Sequence, residues 1–222
     1  MYNLSYFKEE DKQVLLQFVH DHPFAFLTGS DANGKPVATQ VPVLLEERNG
    51  KLMLLGHIMR KTDHHKAFLE NPQVLTVFSG PHTYVSASWY TNPHIGSTWN
   101  YMSVHMGGDI RFLGDKELIS LLQKLTLRFE NNNAASPTIY DNLPDEFTSR
   151  MLPAIVAFEI EVTEMENVFK LSQNRDEQSY QNIIAQLEKQ GGDGAMIAAE
   201  MQKRKAKLFP PGGKWDESKF LS

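Results

Sequence analysis

Phe78-Ser-Gly-Pro-His-Thr-Tyr-Val-Ser-Ala-Ser-Trp-Tyr90 is followed by Thr91-Asn-Pro-His-Ile-Gly-Ser97 and then by Thr98-Trp-Asn-Tyr-Met-Ser-Val-His-Met-Gly107. In the first segment Tyr84, Ser86, Ser88 and Tyr90 alternate with Val85, Ala87 and Trp89, the two-residue period of a strand with unlike faces. The last segment alternates again, with Tyr101, Ser103 and His105 against Met102, Val104 and Met106. Turn formers fill the connector. The stretch predicts a pair of strands carrying His82, Tyr84, Trp89, Tyr90, Trp99, Asn100, Tyr101 and His105. Aromatic and hydrogen-bonding side chains at this density suit the wall of a flat, partly polar ligand; a sheet packed on a partner subunit would carry the same residues.

Working outward, the chain on either side reads as a meander. A helix over residues 9–22 ends at His22-Pro23. A short apolar strand, 24–28, turns at Asn33-Gly34 into a strand over 35–45. That strand has Val37, Thr39, Val41 and Val43 on one side and Pro36 and Pro42 on the other, the mark of an edge. Asn49-Gly50 turns into a strand over 51–58. A polar loop leads to a helix over 64–70 capped by Asp63, and a strand over 73–79 enters the opening stretch. Beyond it, Gly107-Gly108 breaks the pattern, 110–113 is a short strand, and Asp115 caps a helix with Leu118, Leu121, Leu122, Leu125 and Phe129 on one face. A short helix over 143–151 precedes a strand over 154–163 with Glu159 and Glu161 facing out. Two helices, 177–190 and 195–207, flank Gly191-Gly-Asp-Gly194, and a tail begins at Pro210. The fold class is mainly β with peripheral helices, an antiparallel meander that begins a barrel.

The composition narrows the chemistry. The chain has 222 residues, 41% hydrophobic and 22% charged, enough for a real core. A net charge of −5 argues against a surface that is basic throughout and built for nucleic acid. With no cysteine, disulfides, thiolate nucleophiles and Cys-ligated metals are excluded. The N-terminus lacks a signal-peptide pattern and no apolar run reaches membrane-spanning length, so a cytoplasmic protein with no membrane partner is expected. His64, His65, His82, His94 and His105 follow no metal-ligand spacing, so no metal is expected. No nucleophile elbow or dinucleotide fingerprint is present, and no catalytic residue is assigned.

Four segments resemble one family. Gly80-Pro-His-Thr-Tyr-Val-Ser86, Ser88-Trp-Tyr90, Thr98-Trp-Asn-Tyr101 and Lys170-Leu-Ser-Gln-Asn-Arg175 are similar to the signature of the PaiB family, and the resemblance covers residues 1–205 or so. It implies an FMN-binding split β-barrel like that of the pyridoxamine-phosphate-oxidase-like flavoproteins, and negative regulation of sporulation and degradative-enzyme genes. The domain organisation it suggests is a barrel over 1–175, a helical pair over 176–207 packed on it, and a tail over 208–222. FMN is the cofactor it implies, sensed as a ligand, and a homodimer the assembly, with DNA a further partner.

Carried onto this sequence, the resemblance places the FMN phosphate at the strand–loop–helix with His57, Met59, Arg60, Lys61 and Lys66. Gln40, on the strand through Thr39-Gln-Val-Pro42, would meet the polar edge of the ring. Trp89, Tyr90, Trp99, Asn100 and Tyr101 would cover a ligand held by the other subunit. Asn174 and Arg175 could brace the cleft. A flavin-dependent oxidoreductase, a haem-binding barrel and a non-catalytic interaction module are the alternatives. The basic run Lys203-Arg-Lys-Ala-Lys207 admits a DNA-reading helix or a dipole-complementing helix end.

Overall fold

The computed structural model describes residues 2–92, 94–213, 215–216 and 220. Residues 16–78 and 105–166 form one compact unit, and residues 1–15, 79–104 and 167–222 the other. Seven strands pair in one antiparallel sheet: β1 (Phe24–Ser30), β2 (Pro36–Pro42), β3 (Leu44–Arg48), β4 (Lys51–Met59), β5 (Gln73–Val85), β6 (Thr98–Phe112) and β7 (Ile155–Lys170). Their order is β2-β1-β5-β6-β7-β4-β3.

That order closes the first unit. β2 and β3 stand at opposite edges of the sheet, yet Val43 alone separates them along the chain. One residue spans about 3.8 Å, so the two edges must meet, and the sheet curls as a barrel does. The single strand expected over 35–45 is therefore corrected to two. β2 pairs with β1 from Pro36↔Ser30 to Pro42↔Phe24. The Val43 amide then donates to Pro23 O at 2.8 Å, and β3 pairs with β4 instead. Ala25, Leu27, Leu54, Phe158 and Ile160 fill the interior with no exposed surface. Outside it, α3 (Asp115–Phe129) lays Leu118, Leu121, Leu122 and Leu125 on Leu44, Met53, Leu55, Ile155 and Ala157. Its N-cap is Gly114 rather than the expected Asp115, whose carboxylate sits in the first turn facing the positive end of the helix.

Two expectations fail here for reasons of packing. Gly107-Gly108 does not break the strand; β6 runs through both. A Cβ on Gly108 would lie 2.1 Å from Glu161 O, so glycine is what allows β7 to approach. Glu159 does not face out into water. It is 7% exposed, with Arg48 at 3.3 Å and Arg111 closer still, so charge pairing compensates its burial.

β5 belongs to the first unit as far as Phe78 and to the second from Ser79. Val74, Thr76 and Phe78 are buried along its start, then Pro81, Thr83 and Val85 along its end, so the two-residue period slips at Gly80-Pro81. β5 ends at Val85 and residues Ala87–Trp89 form a 3-10 turn, so Trp89 and Tyr90 leave the strand on which alternation placed them. β7 runs past the expected stop at 163 to Lys170. α5 (Glu177–Gln190) and α6 (Gly192–Leu208) are separated by Gly191 alone, at φ 72°, not by four residues. They meet through Tyr180, Ile183, Leu187, Ile197 and Met201, all fully buried, and the Tyr180 hydroxyl donates to Met201 O at 3.0 Å. No described helix is long and apolar enough to cross a membrane.

Candidate functional site

The barrel unit holds six of the ten candidate side chains. β4 ends in His57, Ile58 and Met59, and the chain turns through Arg60 and Lys61 into α2 (Asp63–Glu70). Thr62, not Asp63, is the N-cap, its hydroxyl accepting from the His65 amide. Lys61 takes a left-handed conformation at φ 66°, and its amide donates to His65 Nδ1 at 3.1 Å. Asp63 Oδ1 accepts from the His64 amide at 2.8 Å, the main reason its carboxyl lies below the ordinary carboxylate range. The first amides of α2 are thus occupied by the chain's own oxygens, and the phosphate-holding capacity of this corner rests on side chains.

Those side chains divide into free and engaged. Lys61 and Lys66 are exposed and pair with no carboxylate among the described residues. Arg60 is turned inward: Nε donates to Ile155 O at 2.8 Å, and Nη2 lies 3.5 Å from Asp115 Oδ1. It fastens the start of β7 to the start of α3. Met59 is 61% exposed and offers apolar surface beside the lysines. Gln40 is exposed on β2 opposite Phe26 of β1, away from the barrel interior. Two lysines without counter-charge and an orphaned imidazole nitrogen fit the phosphate end of a flavin mononucleotide.

That orphan is His57 Nδ1, buried with no hydrogen-bond partner. Burial pushes the imidazole below its ordinary value of 6.5, so it stays neutral where a free histidine gains a proton. As pH falls through about 6.5 the unfolded chain binds the proton first, and stability drops. His57→Gln is expected to flatten that acid-side loss of stability. Urea unfolding at pH 7.5 and 5.5 measures it, and equal losses in the two proteins would remove His57 from the account.

The second unit holds Trp89, Trp99, Asn100 and Tyr101. Trp99 is 53% exposed, with the Tyr84 ring edge-on at 6.1 Å and the His82 ring also at 6.1 Å, so these form an open aromatic patch. Tyr101 is half-buried on the same strand, and burial raises its hydroxyl pKa. Trp89 O accepts from Asn182 Nδ2 at 3.0 Å, which ties the 3-10 turn to α5. Asn100 is fully buried: it accepts from Ser172 Oγ at 3.0 Å and donates to Met201 S at 3.6 Å.

Ser172 belongs to Lys170-Leu-Ser-Gln-Asn-Arg175, for which sequence reasoning had no mechanism. It is a built turn. Ser172 stands at φ 61°, and its carbonyl accepts from the Arg175 amide at 3.1 Å. Gln173 clamps the turn, accepting from the Leu171 amide at 2.7 Å and donating to Phe169 O at 2.5 Å. The turn and the Trp-Asn-Tyr strand, 72 residues apart, are joined by the Ser172–Asn100 bond.

Comparison with known proteins agrees with this architecture. The chain is 32% identical over 207 residues, 93% of its length and 99% of the other's, to the protease synthase and sporulation protein PAI 2 of Bacillus subtilis. This chain belongs to the PaiB family. Its residues 1–164 also match the family model described as "Putative FMN-binding domain". An uncharacterized protein of Emericella nidulans is 24% identical across 94% of this PaiB-family chain and 98% of its own. Among solved structures, the FAD and heme binding protein from Mycobacterium smegmatis superposes with a TM-score of 0.55 at 19% identity, covering 73% of each chain, which establishes the split-barrel fold. This PaiB-family chain thus has the split-barrel fold. Among its described residues no three His, Asp or Glu side chains gather into a metal-holding group.

Proposed function

We propose that this PaiB-family chain is a negative regulator of transcription whose barrel senses FMN or a related flavin phosphate. The observation that carries the ligand half is the pair Lys61 and Lys66, exposed at the end of β4 and the start of α2 with no carboxylate partner among the described residues. The regulatory half is supported by full-length similarity to a sporulation protein. FMN bound there would supply a redox-active ring. Lys61 and Lys66 would hold its phosphate, with Met59 as apolar surface beside them.

The proposal includes a homodimer. Phe24, Phe26 and Leu75 are 60%, 42% and 37% exposed, and the register places Phe26 between Gln40 and Val77. An apolar sheet face of this kind suits burial by a second copy, and it would bring Gln40 into the interface. DNA contact through α6 has less support. Arg204 is held by Glu9 at 2.9 Å and by Glu200, and Lys203 by Glu200 at 2.6 Å, which neutralises the centre of the basic run.

The test begins with the purified chain, loaded with FMN and freed of excess. Flavin absorbance near one per chain is expected, falling at least tenfold in the Lys61→Ala/Lys66→Ala double variant. Sedimentation is expected to give twice the chain mass. Gel retardation is expected to favour a fragment carrying its own promoter over a shuffled fragment, with FMN altering the preference. A colourless wild-type protein would sink the flavin ligand; equal retardation of both fragments would sink direct repression.

A further inference from the structure

Lys170 and Arg175 close the two ends of the buried turn described above, and neither pairs with a carboxylate among the described residues. The nearest acid in sequence, Asp176, is already engaged. Its carboxylate accepts from Ser179 Oγ at 2.6 Å, from the Ser179 amide at 2.9 Å and from Thr91 Oγ1 at 2.9 Å. Half-buried cations without counter-charge are costly, because desolvation favours their neutral forms.

The neighbours of both cations are aromatic and hydroxylic. Lys170 Nζ donates to Thr98 Oγ1 at 2.5 Å and lies 5.3 Å from the ring centre of Tyr2 and 5.9 Å from that of Phe7. The Arg175 guanidinium lies 4.7 Å from the ring centre of Tyr90. Burial, with the positive charge of Arg175 adding to it, holds the Lys170 amine below the ordinary lysine range.

Two buried donors here lack an acceptor. Tyr90 is only 6% exposed, and its buried hydroxyl has the Arg175 guanidinium as its polar neighbour and no acceptor for its own proton; Arg175 Nε is buried and equally unmet. Burial raises the Tyr90 pKa, so the phenol keeps its proton and remains a donor. Unmet buried donors are rare in folded chains and ask for an explanation. Here an ammonium met only by the Thr98 hydroxyl, an unmet guanidinium N–H and an unmet phenol O–H, all donors, stand about one turn with no carboxylate among the described residues to answer them.

We propose that Lys170, Arg175 and Tyr90 form an oxyanion site, matched to a phosphate group on a small molecule, distinct from the Lys61/Lys66 corner. A phosphate brings several acceptor oxygens and up to two negative charges, answering both cations and both unmet donors. Thr98 is a positioning residue for the Lys170 amine, and Tyr2 and Phe7 shield that amine on its apolar side. The site stands independently of whether flavin binds the barrel.

Inorganic phosphate is the probe, titrated into the full-length chain at constant ionic strength against chloride, and followed by isothermal calorimetry and by the shift in melting temperature. Wild-type protein is expected to bind phosphate and to melt higher in it. Arg175→Ala and Lys170→Met are each expected to weaken binding at least tenfold, and Tyr90→Phe, which removes one oxygen and keeps the ring, several-fold. In the Lys61→Ala/Lys66→Ala background, which removes the barrel-corner phosphate site, phosphate binding is expected to persist and to be weakened by Arg175→Ala as it is in the otherwise wild-type chain. FMN and riboflavin form the second arm: FMN competing with phosphate, with riboflavin inert, would identify a flavin phosphate as the source, whereas phosphate binding that FMN leaves untouched would assign a different phosphate compound. Wild-type binding no tighter than that of well-folded Tyr90→Phe and Arg175→Ala, or binding lost in Lys61→Ala/Lys66→Ala instead, would overturn the proposal.

Discussion

Gly108→Ala is expected to destabilise the chain by about 3 kcal/mol or more, lowering the melting temperature by roughly 6–12 °C. The cause is a main-chain collision. A Cβ at this position would stand 2.1 Å from Glu161 O and 3.0 Å from both Glu161 C and the Ile160 side chain. A side chain can rotate aside, but the Glu161 carbonyl belongs to β7, the neighbour of β6, and moving it disturbs the ladder that carries Phe158 and Ile160 into the interior. The adjacent Gly107 is the control, because its added Cβ would meet nothing nearer than 3.7 Å. Gly107→Ala is expected to cost well under half as much. Urea unfolding of the two variants settles the matter, and equal stabilities would mean that the strands part more readily than their register suggests.

Asn100→Ala is expected to cost about 2–4 kcal/mol, combining a cavity with the loss of a buried acceptor. Ser172 Oγ is left without its partner at a position only 2% exposed, and Met201 S loses the amide that faces it. Trp99→Ala, one residue away on a side chain 53% exposed, is expected to change stability by less than about 0.5 kcal/mol. The contrast separates two roles that the Thr98-Trp-Asn-Tyr101 motif presents together. Trp99 is free to meet a ligand or partner, whereas Asn100 locks the Lys170–Arg175 turn to its strand. Thermal melting of both variants checks this; a stable Asn100→Ala protein would return that side chain to the candidate ligand contacts.

The pattern of what could be read in advance follows from the range of each interaction. Alternation set Met102, Val104 and Met106 together on β6, where all three are buried, and helical spacing set Leu118, Leu121, Leu122, Leu125 and Phe129 together on α3, where the four leucines are buried and Phe129, at the helix end, is 49% exposed; each signal repeats within a few residues. The same alternation failed at Trp89 and Tyr90. The Gly80-Pro81 slip and the 3-10 turn after Val85 reset the phase, and Ser86 capping that turn gives no distinctive periodic sign. Glu159 looked like an outward residue because its partners Arg48 and Arg111 are 111 and 48 residues away.

The candidate site divides along the same line. Lys61 and Lys66 were legible as cations beside a helix start, but the inward turn of Arg60 onto Ile155 and Asp115 was not. Asn100 stood out as part of an unusual motif, without any hint that its amide would be consumed by Ser172. The unmet donors on Tyr90 and Arg175 could not be read at all, since only packing decides which polar atoms are cut off from water.

By itself, then, the sequence determined the family, through motifs dense enough to be distinctive, and the strand-rich class, through short-period patterns and turn residues. Only the tertiary structure decided that β2 and β3, joined through Val43, occupy opposite edges of the sheet order and so bring the barrel's edges together. It also decided which of the motif residues are locked and which are left free. Periodicity records which side of a strand meets apolar surroundings, whereas pairing order, charge compensation and hydrogen-bond satisfaction depend on residues brought together from distant parts of the chain.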